Sequence, residues 1–234
     1  MPKKIFLTTK DGVKIAANLY DVEKPLGWLV LSHMMPATKE SYEDLAIKLQ
    51  NIGYKSIAID LRGHGESTTY ADSHGLDADL YGQKIDYRNF TDENHQKSIL
   101  DLEAAVDFLI KERNATPDKI SFIGASIGAN LSLQYITNPP AGGPEFKTAI
   151  LLSPGLSYRG LKTEPLVEKL HSGQKTFFVS AQDDGNNAEQ NQLLFEKTPD
   201  NINKKIQIYE TGGHGTDILK NQPELINLIF EFIK

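Results

Sequence analysis

Short, continuously apolar runs alternate along the chain with longer amphipathic segments. The run WLVLS at 28–32 is typical of a strand that is covered on both faces in a parallel sheet. The next segment, 41–53, spaces its leucines and isoleucine as a helix requires and ends on a glycine. The same alternation continues to the end of the chain. It predicts strands at 54–60, 119–124, 147–153, 175–181 and 204–210, and helices at 94–112, 127–136, 188–198 and 223–234.

The N-terminal region follows a different pattern. Two strand-like stretches, 4–9 and 13–20, flank the Asp11-Gly12 pair, a dipeptide typical of tight hairpin turns. We therefore expect an α/β fold with a sheet of about eight strands, mostly parallel with an antiparallel start, and helices on both faces. No internal repeat or linker interrupts the pattern, so residues 1–234 are predicted to form a single domain.

Two segments do not fit the alternation, and both follow predicted strands. Residues 68–90 are polar and rich in aspartate and tyrosine, and 154–174 have room for a short helix at most. Connections that follow parallel strands lie at the carboxyl edge of the sheet, where ligands bind. We interpret both segments as candidate lids and expect only a minimal cap.

Composition narrows the classes of function. The 234 residues carry a net charge of −6, and lysine and arginine form no basic run, so nucleic acid is not an expected partner. Cysteine is absent, which excludes disulfides, thiolate metal sites and cysteine nucleophiles. No apolar segment is long enough for a signal peptide or a membrane span, so a cytoplasmic protein is expected, or a secreted or periplasmic one if a signal peptide has been removed. The pattern says nothing about oligomeric state.

The stretch Gly124-Ala125-Ser126-Ile127-Gly128 lies between a predicted strand and a predicted helix. This Gly-x-Ser-x-Gly pattern, in that context, is the nucleophile elbow, in which the flanking glycines make room for a serine on a sharp turn. A serine that only caps the helix is the alternative. A serine hydroxyl needs a base to become a good nucleophile, and a histidine base needs a carboxylate partner.

Later segments of the chain supply both partners. His214 lies in a glycine-rich loop after the last predicted strand, and Asp183 and Asp184 follow the strand before it. We favour Asp184 as the acid, with Asp183 as the alternative, because one step of strand register exchanges adjacent side chains. The aspartate outside the triad is expected to cap a helix. The order Ser126, Asp184, His214 is that of α/β-hydrolases.

Three motifs together carry a resemblance to α/β-hydrolases of the esterase and monoacylglycerol-lipase-like kind, over essentially the whole chain. They are the elbow GASIG, the stretch DLRGHGES at 60–67, and the late GGHG. Within 60–67, the resemblance implies that Asp60 pairs with Arg62. It also implies that His33 and His64 organise loops by hydrogen bonds rather than take part in catalysis.

The resemblance also implies an oxyanion hole made of two backbone amides. The family has a His-Gly stretch after its third strand, whereas here Met34 follows His33. By position we assign the first donor to the Met35 amide and the second to the Ile127 amide, directly after the nucleophile. Candidate substrate-pocket residues are Met34, Leu156 and Tyr158.

The resulting hypothesis is a carboxylesterase-like serine hydrolase. It would cleave a small-molecule ester of short to medium acyl chain through an acyl-enzyme intermediate, since a minimal cap implies an open cleft. No cofactor or metal is expected. Two alternatives in the same fold are an amidase or peptidase and a thioesterase. A non-catalytic ligand-binding protein on this fold is a third, from a different class.

Overall fold

The structure is a computed structural model that describes residues 1–71, 81–139 and 146–234. The strands in these ranges are β1 (Lys3–Thr8), β2 (Val13–Tyr20), β3 (Gly27–Ser32), β4 (Tyr54–Ile59), β5 (Thr69–Tyr70), β6 (Ile120–Ala125), β7 (Thr148–Leu152), β8 (Ser157–Tyr158), β9 (Leu161–Lys162), β10 (Lys175–Ala181) and β11 (Asn203–Tyr209). The α-helices there are α1 (Glu43–Asn51), α2 (Asp92–Gln96), α3 (Ile99–Arg113), α4 (Ile127–Thr137), α5 (Glu164–Val167), α6 (Asn187–Lys197), α7 (Asp217–Asn221) and α8 (Leu225–Ile233). No helix within those ranges is both long and apolar enough to cross a membrane.

One nine-stranded sheet organises the fold. Its order is β1-β2-β4-β3-β6-β7-β10-β11, and the short β5 pairs with β2. The pairs β1–β2 and β2–β4 are antiparallel, and the pairs from β4 through β11 are parallel. The predicted α/β class, with its antiparallel start and mostly parallel sheet, is confirmed.

The central strands are buried on both faces, and their side chains alternate between two apolar clusters. In β3, Val30 belongs to one cluster, whereas Leu29 and Leu31 belong to the other. The first cluster is completed by α3, α4 and part of α6, and the second by α1, α7 and α8. The sequence of each interior strand is therefore a continuous apolar run, because both faces of the sheet are covered and shielded from water.

The cap after β7 is small, as predicted. Strands β8 and β9 form a two-residue antiparallel hairpin, and α5 has only four residues. This is the predicted lid segment 154–174. In the other predicted lid segment, 68–90, residues 72–80 lie outside the described residues.

The turn from β6 into α4 requires glycine on both sides. A Cβ atom added at Gly124 would lie 2.1 Å from the Gly128 carbonyl oxygen, and one at Gly128 would lie 2.3 Å from the Ser32 carbonyl oxygen. Both obstacles are backbone atoms, which have no rotamer by which to move away. The chain can therefore cross this closely only without side chains at these positions.

We predict that Gly124→Ala lowers the free energy of unfolding by roughly 3 kcal/mol or more, because overpacking against backbone cannot be relieved by side-chain rotation. Urea unfolding followed by circular dichroism measures the change. Gly173→Ala is the matched control: its φ is +97° and no described atom lies within 4 Å of the added Cβ, so only the backbone cost of roughly 1–2 kcal/mol applies. Equal losses in the two variants would contradict the steric argument.

Candidate active site

Ser126 occupies the tip of the β6–α4 turn in a strained conformation. Its φ is 54° and its ψ is −120°, and its backbone N–H donates to the Leu152 carbonyl at 2.8 Å. The side chain makes no capping hydrogen bond to α4, and it retains 8% exposure. Ser126 therefore stands at the N-cap position of α4, but its hydroxyl does not cap the helix. A non-glycine residue held at positive φ is a form of strain that clusters at functional sites.

His214 and Asp184 are in direct contact. The His214 Nδ1 atom lies 2.6 Å from the Asp184 Oδ2 atom. Because a carboxylate oxygen accepts, Nδ1 carries the proton and donates it, which leaves the lone pair of Nε2 free. The pair can therefore act as a histidine base with an orienting carboxylate, provided that Nε2 faces the nucleophile.

Asp183 contacts a different part of the same loop. Its carboxylate accepts hydrogen bonds from the Gly212 amide at 3.0 and 3.1 Å and from the Gly213 amide at 3.0 Å. These backbone N–H groups lower the pKa of the Asp183 carboxyl. The expectation that the aspartate outside the triad caps a helix is wrong for Asp183, because α6 begins after Asn186. Asp183 instead anchors the loop 210–216, which carries His214 and is called the histidine loop below.

The histidine loop is also held on the far side of His214. The Gly215 amide donates to the Ser153 hydroxyl at 2.8 Å. A Cβ atom at Gly215 would lie 2.7 Å from Met34 Sδ and 3.3 Å from the Ala125 Cβ atom, so this loop packs directly against the elbow. Ser153 is not recognisable as a loop anchor from the sequence, because a hydroxyl residue after an apolar strand is a common pattern.

The two amides predicted as oxyanion donors lie on neighbouring loops. In the described part of the chain, neither the Met35 N–H nor the Ile127 N–H has a hydrogen-bond acceptor. The Met34 carbonyl accepts from His33 Nδ1 at 2.8 Å and from the Ala37 amide at 2.9 Å. Because the carbonyl and N–H of a trans peptide point in opposite directions, these two bonds direct the Met35 N–H away from His33.

His33 and His64 form a buried pair behind this loop. The Leu61 amide donates to His33 Nε2 at 2.9 Å, so His33 is neutral, with its proton on Nδ1. The two imidazole rings meet edge to face at 5.0 Å, and the His64 ring stacks on Tyr87 at 3.9 Å. Burial lowers the pKa of His33 and that of His64 to about 4. The loop-organising role implied by the resemblance agrees with these contacts.

Asp60 and Arg62 do not pair with each other, contrary to the expectation from the resemblance. Asp60 accepts from the backbone amide and the ammonium of the buried Lys39, each at 2.8 Å. Arg62 donates through its backbone N–H and Nε to the buried Asp101 of α3, at 2.8 and 2.9 Å, and it also contacts Asp11. Both side chains are paired with residues distant along the chain, so neither Lys39 nor Asp101 could be recognised as a partner from the sequence.

The three predicted pocket residues have different surroundings. Met34 packs against Gly215 beside the histidine loop. Tyr158 packs its ring edge to face with His214 at 6.1 Å, and its hydroxyl accepts a hydrogen bond from Asn187 Nδ2 at 3.2 Å. Leu156 packs against the apolar core, and its amide donates to Gln190. Met34 and Tyr158 thus border the candidate site, whereas Leu156 packs against the apolar core.

No group of three or more His, Asp or Glu side chains in the described residues could hold a metal ion. The candidate site brings together three kinds of group. These are a serine at positive φ, a histidine oriented by a carboxylate, and two unpaired amides on adjoining loops.

Comparison with known proteins gives one family match. A family model described as serine aminopeptidase, S33, matches residues 23–194, which include Ser126 and Asp184. A non-heme chloroperoxidase from Kitasatospora aureofaciens is 34% identical over 70 residues, which are 30% of this chain and 24% of that protein. The chain thus aligns with about a quarter of the length of that curated relative.

Solved structures of esterases share the fold over the full length of the chain. An esterase from Pyrococcus furiosus superposes with a TM-score of 0.76 at 19% identity, covering 100% of this chain and 90% of that one. An esterase from Exiguobacterium antarcticum gives a TM-score of 0.71 at 14% identity, covering 99% of each chain. At these identities the likeness establishes the α/β-hydrolase fold alone.

We predict that stability falls steeply between pH 6.5 and pH 4 because of His33. Its pKa is about 4 in the folded chain and near 6.5 when unfolded, so as the pH falls the unfolded state takes up a proton first. The contribution is complete above pH 6.5 and lost as the pH approaches 4, for a total on the order of 3 kcal/mol.

Urea unfolding of the wild type and of His33→Gln at pH 7.5, 6 and 5 measures this effect. The wild type should lose more free energy of unfolding between pH 7.5 and pH 5 than His33→Gln does. The exposed His171 provides the control, and His171→Gln should keep the wild-type dependence. Parallel pH profiles for wild type and His33→Gln would show that His33 is not the titrating group.

Proposed function

Because the chain belongs to the serine aminopeptidase S33 family of hydrolases, we propose that it is a serine hydrolase that cleaves carboxylic esters of short to medium acyl chain. The observation that carries the proposal is the 2.6 Å contact between His214 and Asp184, on a loop that packs against the Ser126 elbow. The proposed catalytic residues are Ser126, His214 and Asp184, with Asp183 as a support for the histidine loop.

In the first half of the reaction, Ser126 Oγ attacks the ester carbonyl and His214 Nε2 takes the serine proton. The new positive charge on the imidazole is stabilised by Asp184, which accepts from Nδ1. The negative charge on the carbonyl oxygen is held by the Met35 and Ile127 amides. Each such donor is worth roughly 3 kcal/mol in the transition state.

Collapse of the tetrahedral intermediate breaks the bond to the leaving alcohol, which takes the proton from His214 Nε2. The product of this half is an ester between the acyl group and Ser126. A water molecule then attacks that ester, with His214 again as base. The acid leaves when Ser126 Oγ recovers its proton, and the enzyme returns to its starting state.

Preference for short and medium acyl chains is inferred from the size of the cap. The segment 154–174 contributes only the β8–β9 hairpin and the four-residue α5 above the site. Such a cap buries little of a long alkyl chain. Long substrates are favoured where the enzyme buries the chain, because each buried methylene contributes about 0.8 kcal/mol of binding free energy. We propose 154–174 and 68–90 as lid segments of one domain spanning 1–234.

Amide cleavage is the second candidate, because the matching family is described as serine aminopeptidase. The same triad cleaves amides when His214 protonates the leaving amine efficiently. Thioesters fit the same chemistry. A purely ligand-binding protein is the less favoured option, since a carboxylate-oriented histidine next to a strained serine serves no evident purpose in binding alone.

Hydrolysis of p-nitrophenyl esters from acetate to palmitate, beside aminoacyl anilides, tests the proposal. We expect kcat/KM to be highest for short or medium esters and to fall toward palmitate. Ser126→Ala should reduce it by roughly 10⁴-fold or more, because the substitution removes the attacking hydroxyl. Ser172→Ala, at an exposed position of the chain, is the control and should be unaffected. Faster cleavage of anilides than of esters would replace the ester assignment with an aminopeptidase, and activity in Ser126→Ala would overturn the nucleophile.

The two adjacent aspartates should differ sharply in kinetics. Asp184→Asn replaces the acceptor for His214 Nδ1 and permits the wrong tautomer, so kcat should fall by roughly 10³- to 10⁴-fold. Asp183→Asn retains an oxygen that can accept from the loop amides, and a loss within roughly tenfold is expected. The measurement is steady-state kinetics of both variants on the best ester. A larger loss of kcat in Asp183→Asn than in Asp184→Asn would reverse the assignment of the acid.

A further inference from the structure

Ser153 has an unusual backbone conformation for a buried residue. It directly follows β7, it is fully buried, and its φ is 49°. Four non-glycine residues have positive φ in the described part of the chain, and of these only Ser126 and Ser153 are buried. Backbone strain of this kind clusters at functional sites, which indicates that Ser153 does more than fill space.

The strained conformation is fixed by hydrogen bonds on both sides of Ser153. The Ser153 N–H donates to the Val179 carbonyl of β10 at 2.7 Å. The Pro154 carbonyl accepts from the side-chain amides of Asn187 and Asn191 in α6, each at 2.9 Å. A strained backbone persists where its surroundings determine it this fully. Ser153 is therefore held by β10 on one side and by the helix that follows β10 on the other.

The end of β7 contacts both the β6–α4 turn and the histidine loop. The Leu152 carbonyl accepts from the Ser126 N–H at 2.8 Å. The next residue, Ser153, accepts through Oγ from the Gly215 N–H, also at 2.8 Å, and Gly215 directly follows His214. The Cα atoms of adjacent residues lie about 3.8 Å apart. Two short bonds to consecutive residues therefore restrain the candidate nucleophile and the candidate base relative to each other.

The hydroxyl explains why this position holds a serine. Glycine adopts positive φ without a steric cost, so a position that needed only this backbone conformation would be best filled by glycine. Glycine, however, has no side chain that could accept from the Gly215 N–H. The serine at 153 thus carries a backbone strain that glycine would avoid, and it adds the hydrogen bond to the histidine loop.

Loss of this hydroxyl would leave the Gly215 N–H without its acceptor. Gly215 is buried, and a buried N–H without an acceptor is costly, so the loop would shift until water or another group accepted from it. His214 precedes Gly215, and its Nδ1 atom lies 2.6 Å from Asp184. A shift of the loop would lengthen this contact and change the position of Nε2 relative to Ser126. Misplacement by about 1 Å can cost roughly 100-fold in rate.

We propose that Ser153 is a positioning residue that holds His214 in place for Ser126 through its hydrogen bond to the Gly215 amide. The inference rests on the proposed function. Ser153 makes and breaks no covalent bond, and it acts only through the histidine loop. The Asp183 carboxylate binds the two amides before His214, and Ser153 binds the amide after it. The loop is restrained on both sides of its histidine, so we expect a loss of rate when the second bond alone is removed.

The test compares Ser153→Ala with Ser153→Gly. Both remove the hydroxyl, and we expect kcat on the best ester to fall roughly tenfold or more in both, with KM nearly unchanged. Only glycine also relieves the positive φ, so Ser153→Gly still measures the effect of the hydroxyl if Ser153→Ala does not fold. Ser56→Ala is the matched control and should keep the wild-type kcat. It removes a fully buried hydroxyl that has no hydrogen-bond partner among the described residues.

Two further measurements separate positioning from a merely structural role. The His214 Nδ1 proton, bound to a carboxylate, should give a far-downfield proton NMR signal that Asp184→Asn removes. This signal should weaken or shift in both Ser153 variants and stay unchanged in Ser56→Ala. The rate at which a fluorophosphonate probe labels Ser126, read by mass spectrometry, should fall together with kcat and does not depend on the choice of ester.

Slow labelling of the folded Ser153 variants together with an altered NMR signal supports the proposal. Labelling at the wild-type rate would overturn the role of Ser153 while leaving the proposed function in place. Slow labelling with an unchanged signal would also overturn it, because the hydroxyl would then act on something other than His214. A wild type that is neither labelled nor hydrolytic would instead remove the proposed function, and the Ser153 proposal with it.

Discussion

The candidate site depends on one close backbone contact, between the start of α4 and the end of β3. Gly128 lies so near the Ser32 and His33 carbonyls that a Cβ atom there would be 2.3 Å from the first and 2.8 Å from the second. The Ser32 hydroxyl adds a hydrogen bond to the Gly128 carbonyl at 3.1 Å. This contact holds the loop after β3 against the β6–α4 turn that carries Ser126. The Met35 and Ile127 amides belong to these two segments, so an opening of the contact would separate them.

Two neighbouring aspartates fix the position of His214 through different contacts. Asp184 contacts the imidazole, whereas Asp183 binds the backbone amides that precede it in the loop. Ser153 binds the Gly215 amide on the other side. A glycine-rich loop has many conformations available, and these bonds offset the entropy of restricting it to one. Orientation of a general base is worth large factors in rate, so the loop contacts bear directly on the proposed chemistry.

Behind the loop that follows β3, the buried side chains are polar and charged rather than apolar. His33 links Leu61 to the Met34 carbonyl, Lys39 pairs with Asp60, and Arg62 pairs with Asp101. Buried charges are costly unless they are paired and hydrogen-bonded, and each of these has a partner of opposite sign. Such networks allow few alternative arrangements. They therefore define the position of the Met34–Met35 peptide more narrowly than apolar packing would.

The sequence alone determined the alternation of strands and helices. A strand buried on both faces must be a continuous apolar run, whereas a helix buried on one face has apolar residues at helical spacing. The sequence also placed Ser126 on a tight turn between a strand and a helix, because only glycine fits at the two flanking positions. The choice between Asp183 and Asp184 needed tertiary structure, because adjacent side chains diverge and their partners lie about thirty residues away. The partners of Asp60 and Arg62 could not be predicted either, because they too are distant along the chain. For that reason too, the sequence did not reveal the edge-to-face contact of Tyr158 with His214, which forms only in the folded chain.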